Sequence, residues 1–178
     1  MHCINKRMDA HTVAYAVSST ALVALLGVPL VAWRATGDAA FALLIPFGAL
    51  CAAIVEVIKG HATWSRRPAG ANNCSLTCGG GPVGGAPGFP SGHVGMTTAV
   101  LMSVVFCLAF DAGGRVTWTA LSAAIAVAWI AAMCWSRLTL RCHDVRQVVA
   151  GAAFGVAAAT VFAACVHLYR HGWHRLRR

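Results

Sequence analysis

Residues 90–110 read PSGHVGMTTAVLMSVVFCLAF. Four residues able to do chemistry, Pro90-Ser91-Gly92-His93, run directly into a segment without a single charge. A turn that can aim backbone N–H groups at an anion therefore opens onto a stretch that belongs in a bilayer or a buried core. The pattern recurs further along. Ser136-Arg137 closes one apolar run, and His143 follows after five residues, just before the next run. Two histidines, an arginine and a Ser-Gly turn are the parts needed to move a phosphoryl group. One histidine attacks phosphorus and the other protonates the leaving oxygen, while the guanidinium and N–H groups hold the phosphate oxygens.

Working outward, four more apolar runs flank this one. Stretches of about 20 residues span a bilayer, and five candidates cover residues 12–33, 39–58, 94–110, 116–135 and 147–169. The first is too long for a cleavable signal peptide and reads as an anchor. Composition agrees: 178 residues, 58% hydrophobic and 11% charged, with mean hydropathy +0.69. Soluble domains carry about a quarter charged residues. The expected fold is an all-α polytopic membrane helix bundle, one domain over residues 1–178. Pro29 and Pro46 fall inside apolar runs, where kinks are tolerated. Dense Ala and Gly let helices approach closely. Tight turns are expected at Arg34–Asp38 and Asp111–Arg115.

The net charge of +9 is not one patch. Lys59, Arg66, Arg67, Arg137, Arg141 and Arg146 surround the candidate site, whereas Arg170, Arg175, Arg177 and Arg178 form a basic tail over residues 170–178. Apolar runs between them argue against a nucleic-acid surface. With five spans, the loops 59–93 and 136–146 share one face with the N-terminus, and the tail lies on the other. The positive-inside rule puts the tail in the cytoplasm and the site on the non-cytoplasmic face. Of eight cysteines, Cys51, Cys107, Cys134 and Cys165 sit in apolar runs as small hydrophobes. Cys74 and Cys78 share a Gly-rich loop and read either as a disulfide across three residues or as two free thiols. A zinc site would need two more ligands. Asn73-Cys74-Ser75 matches a glycosylation sequon.

Together, these motifs resemble the type 2 phosphatidic acid phosphatase (PAP2) superfamily. Its three motifs are Lys-x6-Arg-Pro, Pro-Ser-Gly-His and Ser-Arg-x5-His-x3-Asp. Here the second is complete at Pro90–His93, and the third is present as Ser136-Arg137-x5-His143. The first is displaced by one: Arg66 stands seven after Lys59, but Pro68 follows Arg67. If the helix continues past Lys59, Arg66 shares its face; Arg67 instead has the proline that the family expects. The resemblance implies His143 as nucleophile through a phosphohistidine and His93 as general acid. It implies Lys59, Arg137, one of Arg66 or Arg67, Ser91 and the Gly92 N–H as phosphate ligands. It implies no metal or organic cofactor, a lipid phosphate or polyprenyl diphosphate as substrate, and the bilayer as partner. Family members commonly have six spans; with five, one N-terminal span is expected to be missing, and pairing of copies would restore its packing surface.

One departure stands at the end of the third motif, where Gln147 replaces the aspartate that orients the nucleophile. Its amide oxygen can accept from the imidazole but supplies no negative charge. Asp144 would point about 100° away from His143 on a helix. A second reading is therefore a member that keeps the fold and the pocket for a structural or lipid-binding role. A third is a phosphotransferase, in which an alcohol takes the phosphoryl group from the same phosphohistidine.

Overall fold

The computed structural model describes residues 9–72, 74–75, 81–110 and 116–176. The expected turn at Asp111–Arg115, the sequon's Asn73, and Cys78, Arg177 and Arg178 lie outside the described residues. Among the described residues, five helices are long and apolar enough to cross a membrane: α1 (Ala10–Thr36), α2 (Ala39–His61), α3 (Gly92–Phe110), α4 (Val116–Thr139) and α5 (Val145–His171). The last continues as helix to Leu176. Among the described residues there is no strand, and the chain is an integral multi-pass membrane protein by length and hydropathy of its helices.

Local sequence explains the ends. Asp9 caps α1, its carboxylate accepting from the Thr12 N–H at 2.7 Å. Gly37 stops that helix in the left-handed conformation (φ 72°). Asp38 then caps the short 3-10 turn Ala39–Phe41 that opens α2 and pairs with Arg170 of α5. Pro29 interrupts α1 less than its position suggests. The turn before it, Val23–Gly27, widens to π-helical hydrogen bonding, which relieves the clash between the proline ring and the preceding carbonyls. Pro46 falls in the first turn of the α-helix Leu44–His61, where no N–H is missed.

α3 is the hub. It is the most buried of the five and apolar all round. Its closest partner is α5, and small residues set that distance. A Cβ on Gly155 would lie 2.5 Å from the Thr98 Cβ and 2.6 Å from the Gly95 carbonyl oxygen; one on Gly151 would lie 2.6 Å from the Ser91 carbonyl oxygen. Gly151 and Gly155 thus form the Gly-x3-Gly face on which α3 rests. α1 closes against α4, and midway along α4 Trp129 Nε1 donates to Thr20 Oγ1 at 2.9 Å.

The long loop between α2 and α3 folds back on itself. Arg67 N–H donates to the Ala86 carbonyl (2.8 Å), Val83 N–H to Ala71 (2.9 Å) and Gly88 N–H to Ser65 (3.0 Å). A disulfide joins this loop to the α4–α5 turn, and it overturns both sequence expectations for Cys74. The partner is Cys142, 68 residues on, with Cα atoms 5.6 Å apart. Helix packing carries Cys142 beneath the loop, into a small buried cluster of Ala14, Ala71, Leu140 and the two cysteines.

Candidate active site

Each motif reaches one end of the bundle by a separate route. Lys59 stands in the last turn of α2, Gly92 and His93 open α3, Arg137 is in the last turn of α4, and His143 lies in the turn before α5. A cavity of about 240 Å³ there is lined by Glu56, Lys59, Arg67, Gly92, His93 and His143, with Ala52, Cys74, Ser75 and Met96. Lys59, His93 and His143 are all buried.

Arg66 and Arg67 separate cleanly. α2 ends at His61, so the helical register that would have put Arg66 with Lys59 does not exist. Beyond it the chain turns over residues 63–65, and Arg66 then pairs with Pro87 in an isolated β-bridge, where consecutive side chains face opposite ways. Arg66 is exposed and donates to the Gly85 carbonyl at 2.9 Å, whereas Arg67 turns into the cavity, its Nη1 buried without a protein partner. Burial lowers the Arg67 pKa, and Glu56 opposes that shift.

Arg137 is wholly buried but does not line the cavity. Its guanidinium donates to Ser18 Oγ of α1 and to the Cys74 carbonyl at 3.0 Å. Ser91 is likewise held behind the wall: its N–H donates to the Gln147 carbonyl (2.9 Å), its carbonyl accepts from Gly95, and its Oγ is buried without a partner.

Gln147 replaces an aspartate with a complete set of hydrogen bonds. Its side-chain NH2 donates to Ser65 Oγ (3.1 Å) and to the Arg66 carbonyl (3.0 Å). A carbonyl only accepts, so the amide nitrogen must face the loop and Oε1 must face His143, at 2.9 Å from Nδ1. That oxygen in turn requires a proton on Nδ1, which leaves the lone pair of His143 on Nε2. The Nδ1–H tautomer is set without a carboxylate. Asp144 is occupied elsewhere: its Oδ1 accepts from Gln147 N–H (2.9 Å), and Gln147 Oε1 lies 3.4 Å from Asp144 N, a capping box that starts α5. Gly88 makes room, since a Cβ there would meet Gln147 Oε1 at 2.7 Å. Burial, with the Arg67 and Arg137 guanidinium groups nearby, lowers the His143 pKa to about 3, the Gln147 hydrogen bond opposing the shift. The His143 imidazole is thus neutral at physiological pH.

Sequence reasoning passed over Glu56, Cys142 and Ser18. Only Glu56 left a usable signal, a carboxylate one helical turn before Lys59.

Fold and site together define a class: a helical, multi-pass membrane protein with a histidine pair in a cation-lined cavity at one end of its bundle. A model of the PAP2 superfamily matches residues 41–171, well over half of the chain. The chain belongs to the PAP2 superfamily, whose members are in general phosphatases. No curated protein and no solved structure matches it.

Proposed function

We propose that this chain, as one domain, is a membrane-embedded, metal-independent phosphatase acting on a lipid phosphate or polyprenyl diphosphate. The observation that carries the reading is the shared cavity of His93 and His143, with Lys59 and Arg67 in its wall. In this mechanism Lys59, Arg67 and the N–H groups opening α3 hold the phosphate oxygens. His143 Nε2 attacks phosphorus and the P–O bond to the lipid breaks. His93, protonated once the bound phosphate's negative charge offsets the cations around it, gives that proton to the leaving oxygen. Water then attacks the phosphohistidine, its proton passes to His93, and the P–N bond breaks to release phosphate. Gln147 keeps His143 in the reactive tautomer throughout.

The same residues bear on sidedness. The Cys74–Cys142 disulfide ties the two site loops together, and disulfides persist in oxidising compartments. This supports a site on the non-cytoplasmic face and a cytoplasmic basic tail, in line with the positive-inside reading.

A non-catalytic, lipid-binding role is the second reading. Arg137 favours it, because its guanidinium is engaged by Ser18 and Cys74 instead of lining the cavity. The test is phosphate release from a panel of lipid phosphates by purified wild type and His143→Ala. Release by wild type that vanishes in the variant is the expected result. Absence of release from wild type, with orthophosphate binding intact, refutes the phosphatase and leaves the lipid-binding role.

A further inference from the structure

The phosphate cavity contains one group of the wrong sign. Glu56 lines it beside Lys59 and Arg67, and Glu56 Oε1 lies 2.5 Å from Lys59 Nζ. The position of that pair is specific. A Cβ built on Gly92, the first residue of α3, would lie 3.3 Å from Lys59 Nζ and 3.9 Å from Glu56 Oε1. The carboxylate is therefore seated against the opening turn of a helix and on an ammonium group, which is where a bound anion sits. Among the pair's members only Glu56 is free to leave: its side chain is 70% exposed, that of Lys59 11%. Glu56 also acts on Arg67, opposing the drop in its pKa, so it bears on both cations in the cavity wall.

We infer that Glu56 is a built-in competitor for the phosphate position, an affinity-setting residue that holds Lys59 until a substrate phosphate displaces it. This deepens the phosphatase reading and rests on it. A phosphate entering the cavity replaces the carboxylate on Lys59, and Glu56 swings into water. After hydrolysis the carboxylate returns and helps to expel orthophosphate. The site then binds any phosphate more weakly than its cations alone would dictate, and product does not accumulate in it.

Orthophosphate binding by the full-length protein in detergent tests this without requiring turnover. Calorimetric titration of wild type, Glu56→Gln and Lys59→Met/Glu56→Gln is compared with Lys59→Met alone. Glu56→Gln keeps the side chain's size on an exposed position, and Glu56→Ala serves as a second variant. The expected result is a Kd for orthophosphate about 1.5-fold to fivefold lower in both Glu56 variants, the range of an exposed ion pair. In the Lys59→Met background the gain should disappear. An unchanged Kd, or weaker binding on removal of the carboxylate, overturns the competitor and leaves the phosphate site standing. Absence of orthophosphate binding in wild type and variants alike overturns both.

Discussion

Gly155→Ala tests whether the spacing of two helices sets the spacing of the two histidines. A methyl group at Gly155 would sit 2.5 Å from the Thr98 Cβ, 2.6 Å from the Gly95 carbonyl oxygen and 2.9 Å from the Ala99 nitrogen. Carbon atoms rest at about 3.5–4.0 Å, and two of these three obstacles are backbone, which no rotamer change can move. α3 and α5 must part by about 1 Å. Such overpacking costs about 1–3 kcal/mol. The same shift reaches the site, because α3 carries His93 and α5 follows directly on His143. A misplacement of about 1 Å in a reacting constellation costs about 100-fold in rate. Thermal unfolding and lipid phosphate release would be measured side by side. Gly60→Ala is the control, since a Cβ there meets nothing within 4 Å. If Gly155→Ala unfolds and turns over like wild type, the close contact does not position the site.

Arg67→Ala should lower kcat/KM by at least about 100-fold, the cost of one oxyanion ligand, whereas Arg66→Ala should stay near the wild-type rate; equal losses would contradict the assignment of Arg67 to the cavity. Protonated His143 cannot attack, so with its pKa at about 3 it puts no acid limb on kcat/KM through pH 5–8. Gln147→Asp adds a negative partner, raises that pKa and should move an acid limb toward neutral pH, in a pH–rate profile; coincident profiles would show that Gln147 does not tune His143. Cys142→Ser opens a ring spanning 68 residues of sequence and should cost about 4 kcal/mol in unfolding. Identical melting curves for wild type with and without reductant would argue against that cross-link.

The five spans were legible because length and hydropathy alone define a membrane helix, and the structure moves their ends by only a few residues. That His93 and His143 would line one cavity was legible because their motifs are short and local. What could not be read depended on where a helix stops or what folds over it. Arg66 and Arg67 differ only because α2 ends at His61. The surroundings of Gln147 could not be read either: the folded-back loop brings Ser65 Oγ and the Arg66 carbonyl to its amide nitrogen, and that carbonyl would repel an aspartate's oxygen. Cys142 was invisible because its partner lies across two helices, and shared loop membership had suggested Cys78 instead. Arg137 was expected at the phosphate, but its guanidinium is directed to α1 and the Cys74 loop, contacts that no motif encodes.

The Cys74–Cys142 bond also bears on how the chain is threaded during synthesis. Between the two cysteines lie both α3 and α4, an even number of crossings, so both sulfurs arrive on the same side only when both helices have crossed or neither has. A chain in which one of the pair slips back out would leave the thiols on opposite sides of the membrane, unable to meet. Oxidation therefore works as a parity check on insertion: a non-reducing gel of newly made chains would separate singly mis-threaded molecules, which keep two reactive thiols, from those that have closed the ring.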